Sequence, residues 1–190
     1  MAPVKKPATY EDVLAAPEHV VAEIVAGELF TTPRPSPRHG YAASALGAVL
    51  ASSYGWAATD PGGWWLLQKT EVHIGGDVLV PDLLGFRFAR MPELPDQGWF
   101  SIPPDWVCEV LSPGTGSLDR ARKLPAHARG GVAWAWLVDP AERTLEVLRR
   151  DEDLWVVVAA HGADDRLCAE PFPAVEFQLS VLWGDREQRV

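Results

Sequence analysis

Cysteine is almost missing from this chain, which has Cys108 and Cys168 in 190 residues. That scarcity argues against a disulfide-stapled secreted scaffold, and no Cys/His spacing matches a zinc site. Cys108 lies in an apolar run and reads as a small core residue. Long apolar stretches are lacking too, and none reaches the length that crosses a bilayer. The start, Met1-Ala-Pro-Val-Lys-Lys-Pro7, is basic but leads into polar residues without an apolar signal core. These absences point to a cytoplasmic protein with no membrane partner. Positive charge is also short, with 17 Lys and Arg against 26 Asp and Glu, a net −9. A general nucleic-acid coat, which works by neutralising phosphates, is disfavoured. Local DNA binding stays open if a metal and a few arginines reverse the field near a cleft. The candidates are Arg34, Arg38, Arg87, Arg90, Arg120, Arg122 and Arg129. There is no Gly-rich phosphate loop, catalytic serine elbow or Cys/His nucleophile pair; Ser112-Pro113-Gly114 reads as a turn.

What is present suits a globular protein: 47% of residues are apolar and 23% charged, enough for a core without staples. A single domain over 1–190 is expected, with an N-terminal helix and hairpin at 9–32 and a core over about 38–182. Thr9 to Asp12 resembles a capping box opening a short helix that Pro17 stops. Ala26-Gly27 joins strands 20–24 and 28–32. Helical spacing of Ala42, Ala45, Leu46, Val49 and Leu50 predicts a helix over 38–54, with Gly55 as its C-terminal cap. Strands are predicted over 65–74 and 78–86, joined at Gly75-Gly76-Asp77, and then over 106–111. Residues 91–104 read as a loop. A helix over 117–129 conflicts with its own Pro125. Strands at 133–138, 144–149 and 155–159 follow, and 172–182 reads as an extended piece with a short final turn. This order implies a mixed α/β (α+β) fold around one central sheet.

Acids inside apolar runs carry the chemistry. Asp82 in Val80-Pro81-Asp82 and Glu109 in Val107-Cys108-Glu109-Val110 sit in strand-like segments, and Glu23 has a similar setting. Buried carboxylates are costly unless something positive compensates them. If the strands of Asp82 and Glu109 are neighbours, the two acids repel each other unless a hard cation such as Mg²⁺ or Mn²⁺ binds between them. Such an ion activates water and neutralises a phosphoryl group, and Lys123 would stabilise the developing charge. Plainer readings exist. Pro81-Asp82 also suits a turn, Asp119 and Lys123 have the i,i+4 spacing of a surface ion pair, and Glu23 in a strand also suits solvent exposure. His127 continues the Asp119–Lys123 stripe. His39, at a helix start, is a candidate metal-proximal or phosphate contact. Trp64, Trp65 and Trp99 are candidates for stacking bases, although core burial explains them as well.

In order along the chain, several segments form a recognisable set: Glu23-Ile-Val-Ala-Gly-Glu-Leu29, Ser36-Pro-Arg-His39, Val80-Pro-Asp82, Pro104 to Pro113, Asp119 with Lys123, and Gly131 to Pro140. Together they resemble the Uma2 family of bacterial endonucleases in the PD-(D/E)xK, restriction-endonuclease-like superfamily, over about 10–182. The resemblance implies a central mixed sheet flanked by helices, Asp82 and Glu109 as metal ligands, and Glu23 as a third acid. Superfamily members usually carry Lys two residues after the second acid. Here that position is Leu111, so Lys123 would reach back from the next helix. His127 stands where relatives tend to have Tyr.

The reading is therefore a Mg²⁺- or Mn²⁺-dependent endonuclease acting on DNA. Asp82, Glu109 and Glu23 bind metal, Lys123 acts in catalysis, and Asp119, His39 and Ser112 support them. Two alternatives remain: a catalytically silent nuclease-fold scaffold, which net charge and Leu111 favour, and a phosphoesterase for small substrates. A homodimer through an exposed tryptophan surface is a further expectation.

Overall fold

The computed structural model describes residues 6–55 and 62–185, so the basic start, Met1–Lys5, lies outside the described residues. Helix α1 (Tyr10–Leu14) leads into the hairpin of β1 (Val20–Val25) and β2 (Glu28–Pro33). The Asp12 carboxylate accepts from the Thr9 amide at 2.7 Å, as a capping box requires. Ala26 and Gly27 have φ of 52° and 75°, the two positive values whose twist matches a tight hairpin. Helix α2 (Pro37–Tyr54) begins on Ser36, whose Oγ accepts from the His39 amide at 3.4 Å.

The two long strands expected over 65–74 and 78–86 are four. They are β3 (Trp64–Gln68), β4 (Glu71–Ile74), β5 (Asp77–Leu79) and β6 (Leu83–Arg87). The Gly75-Gly76 turn lies where the sequence puts it, between β4 and β5. The extra breaks fall at Lys69-Thr70 and Val80-Pro81-Asp82, where the hairpin passes from one sheet to another. Pro81 cannot donate to a ladder, and Lys69 has φ 48°, so neither residue continues a strand. The expected loop contains β7 (Trp99–Phe100), a short parallel partner of β4.

Strand β8 (Trp106–Val110) precedes a three-part helical segment. It consists of α3 (Gly116–Leu118), a π-helical turn over Asp119–Lys123 and α4 (Leu124–Gly130). The wide turn resolves the Pro125 conflict, because the proline falls in the first turn of α4, where no N–H is required. Strands β9 (Trp134–Asp139), β10 (Thr144–Asp151) and β11 (Leu154–Gly162) follow. The chain ends in β12 (Arg166–Ala169), which the sequence reading missed, then β13 (Phe172–Gln178) and a 3₁₀ turn at Leu179–Leu182.

The central sheet is mixed, in the order β11-β10-β9-β8-β6-β3, with only β8 and β9 parallel. Alternation along β8 sends Cys108 and Val110 to one face and Val107 and Glu109 to the other. On the first face, α2 and the β12–β13 hairpin bury Leu46, Leu50, Trp106, Trp136 and Phe172. Against the second lie α4 and a five-stranded sheet, β2-β1-β5-β4-β7, around Leu84, Phe86, Leu124 and Leu137. Helices therefore flank the central sheet as expected, and a second sheet shares one flank with them.

Candidate active site

Strands β6 and β8 are antiparallel neighbours, with Leu83 opposite Cys108. Continuing that register by one residue brings Asp82 beside Glu109. The Asp82 Oδ2 accepts from the Val110 amide at 2.7 Å, while Oδ1 meets His39 Nε2 at 2.9 Å and the Lys69 ammonium. Glu23 enters from β1 in the second sheet, its Oε1 accepting from the Val80 amide at 2.7 Å. From the π-helical turn Lys123 Nζ donates to Glu109 Oε2 at 2.9 Å, with Glu23 Oε1 at 3.2 Å and Asp119 Oδ1 at 3.7 Å. It also approaches the Val80 carbonyl at 3.4 Å. Leu111, where a lysine was looked for, is buried in the apolar layer on that face, and Lys123 reaches Glu109 instead. The Asp119–Lys123 pair is an interior contact of this cluster rather than a surface ion pair.

A cavity of about 290 Å³ opens over these groups, lined by Glu23, His39, Lys69, Asp82, Glu109, Ser112, Asp119 and Lys123 among others. The acids Glu23, Asp82, Glu109 and Asp119, with Lys123, His39 and Ser112, thus line one cleft. Ser112 sits at its edge, its Oγ 3.0 Å from Thr115 Oγ1.

Burial sets the electrostatics. It tends to raise the Asp82 carboxyl, but the hydrogen bond with His39 and the charges of Lys69 and Lys123 outweigh it, holding the group well below the usual carboxylate range. At Glu109 burial wins over Lys123, aided by the charges of Asp82 and Glu23, and the pKa rises to about 7. Asp119 is raised to about 7 by burial and by Glu109. Lys123 is buried yet pushed well above its ordinary value by Glu109, Glu23, Asp119 and Asp82. His127 is driven down to about 3 by burial and by Lys123, so at neutral pH its uncharged ring meets Glu109 Oε1 at 3.1 Å.

The roles of two residues in this network escaped the sequence reading. Lys69 gave no signal, because it lies inside what read as a continuous strand. His127 was visible only as part of a helical stripe, although it holds the far oxygen of Glu109. Other expectations are corrected. Of the arginines proposed for the cleft only Arg34 lines it. Arg90 pairs with Asp105, Arg120 with Glu146 and Arg129 with Asp77, while Arg87 lies over Trp64. Among the described residues no tryptophan is exposed, so none of them forms the surface expected for a homodimer. Trp64 is buried, Trp65 packs against Phe88 with its ring centroid 4.7 Å away, and Trp99 stacks on His73, so each of the three serves internal packing.

The donor set suits a hard divalent cation. All four acids offer oxygen, and four carboxylates against two lysines leave a formal surplus of two negative charges when ionised. Among the described residues no three His, Cys, Asp or Glu side chains form a ready metal cage. Mg²⁺ needs only one or two carboxylates, with waters and substrate oxygens completing its shell. No described helix is long and apolar enough to cross a membrane.

The chain belongs to the Uma2 family, described as "Putative restriction endonuclease", whose model matches residues 7–182. No curated protein matches the sequence. Among solved structures it is similar to one described as a putative nuclease belonging to DUF820 from Anabaena variabilis ATCC 29413. The TM-score is 0.74 at 22% identity, over 93% of this chain and 98% of that one. At that identity the likeness establishes a shared fold.

Proposed function

We propose that the protein is a metal-dependent endonuclease that hydrolyses DNA phosphodiester bonds with Mg²⁺ or Mn²⁺. The observation that carries this reading is the meeting of Glu23, Asp82, Glu109 and Asp119 at the floor of one cleft, three of them around the buried Lys123 and Asp82 against Lys69. Asp82 and Glu109 would hold the cation, with Glu23 assisting. When bound, it supplies Lewis-acid charge to a water molecule and to the phosphoryl oxygens. Asp82 stays ionised across the working pH range, and His39 fixes its orientation through Oδ1. Glu109 would be ionised while it holds the cation, so the proton lost by the attacking water passes to bulk water. Lys123 Nζ stabilises the charge that develops on phosphorus-bound oxygen, and Asp119 keeps that ammonium in place. Water oxygen joins phosphorus, the 3′ oxygen leaves and takes up a proton, and the products are a 5′-phosphate and a 3′-hydroxyl. Family membership supports the assignment at the level of the nuclease class.

A second reading, hydrolysis of a small phosphoester, has one observation in its favour. The cavity of about 290 Å³ has the scale of a single nucleotide, and the chain around it is acidic. Incubation with supercoiled plasmid and, separately, with a nucleotide phosphodiester in Mn²⁺ tests both. Nicking of plasmid by wild type but not by Lys123→Met supports the endonuclease. Turnover of the small ester alone supports the second reading, and activity on neither contradicts both.

A further inference from the structure

Lys69 is the second lysine of the cleft. It sits between β3 and β4 at φ 48°, a left-handed conformation that a lysine adopts at some cost. Its amide donates to the Asp82 carbonyl at 3.3 Å, which fixes the residue beside the acid. From there its ammonium reaches Asp82 Oδ1.

The two lysines are held very differently. Lys123 is 5% exposed and has Glu23, Glu109, Asp119 and the Val80 carbonyl around it. Loss of any one partner leaves it caged. The Lys69 side chain is 38% exposed, and among the described residues its ammonium has Asp82 as its one charged partner. Once Asp82 is committed to a cation, Lys69 loses its counter-charge while remaining at the mouth of the cleft. A lysine has a flexible stem and a compact, strongly hydrated charge, so it follows the nearest anion that enters. Arg34, the other cation on the cleft lining, turns back to the Glu18 carbonyl at 3.2 Å.

We infer that Lys69 is the substrate-anchoring residue of the cleft, exchanging Asp82 for a non-bridging phosphate oxygen of the nucleic acid when the metal position is filled. The inference rests on the DNA-phosphodiester reading above and adds the group that recognises the backbone. It assigns Lys69 to phosphate rather than to base sequence, so binding through it is independent of sequence.

The test uses the full chain, a short fluorescein-labelled duplex, and Ca²⁺ as a hard ion of the same ligand preference. Anisotropy is measured against salt for wild type, Lys69→Met and Lys69→Arg, and Mn²⁺ affinity is measured by calorimetry on each. The expected result is about tenfold weaker DNA binding by Lys69→Met, the scale of one charge-assisted hydrogen bond. Its salt slope should fall by about one, Lys69→Arg should retain binding, and Mn²⁺ affinity should be undiminished in both variants. DNA binding and salt slope unchanged in Lys69→Met would overturn the inference and leave the endonuclease reading standing. Loss of Mn²⁺ binding together with DNA binding would also overturn it, by making Lys69 a support of the metal position. A wild type that binds no DNA would overturn the DNA reading and the inference with it.

Discussion

Lys123 Nζ lies 2.9 Å from Glu109 Oε2, and both side chains are sealed, 5% and 1% exposed. A pair this deep gains its Coulomb energy only because Glu23, Asp119 and the Val80 carbonyl share the ammonium. Lys123→Met removes one charge and strands three acids. Stability should fall by about 3–5 kcal/mol in chelator, read as a lowered midpoint in urea. Lys123→Met/Glu109→Gln should lose less than the sum of the two single variants. Additive losses would show that the two groups do not share one energetic unit.

Asp119 should dominate the pH dependence of stability. Its folded pKa of about 7 is above the ordinary 3.8. Its stabilising share is therefore full below about pH 4 and lost as pH rises towards 7. Glu109, raised from 4.5 to about 7, acts in the same sense. His127, lowered from 6.5 to about 3, opposes it over nearly the same range, so those two largely cancel. Wild type in chelator should lose about 2 kcal/mol between pH 5 and 7, and Asp119→Asn should flatten that slope. Equal slopes in urea unfolding would contradict the assignment.

Much of the fold is legible locally. The Ala26-Gly27 hairpin, the Ser36-capped α2 and the Gly75-Gly76 turn each announce themselves through a backbone or capping requirement that a few adjacent residues meet. The acids are legible because a charge inside an apolar run is conspicuous. The break at Lys69 is not, and Pro81-Asp82 reads only as an alternative turn, since both carry the chain between two sheets and no local pattern encodes which sheet a strand joins. Glu109 finds Lys123 fourteen residues away and His127 eighteen away, contacts made by packing a helix on a strand. Arg90, Arg120 and Arg129 failed as a guide because each serves an acid that the fold brings near it, outside the cleft.

Gly130 sets how closely α4 approaches β4. A Cβ there would meet the Cδ1 and Cγ1 of Ile74, so Gly130→Ala should cost about 1–3 kcal/mol through overpacking. Adding Ile74→Val should recover part of the loss in thermal unfolding. A Gly130→Ala variant as stable as wild type would mean that the helix has room to shift.

Strand β11 is an edge of the central sheet, with Leu154, Val156, Val157 and Val158 at 74, 41, 55 and 44% exposure. Its nine residues carry no Lys, Glu or Pro to discourage pairing. Val157→Lys should leave stability within about 0.5 kcal/mol and lower concentration-dependent light scattering. Scattering identical to wild type would show that this edge does not associate.

The central claim is that Asp82 and Glu109 share one divalent cation. Calorimetric titration of Mn²⁺ into wild type, Asp82→Asn and Glu109→Gln at pH 8, where Glu109 is ionised, tests it most directly. The account predicts one site in wild type and its loss or severe weakening in each variant, with all three chains folded by circular dichroism. Binding that survives in both variants, or a folded wild type that takes up no Mn²⁺, would contradict it.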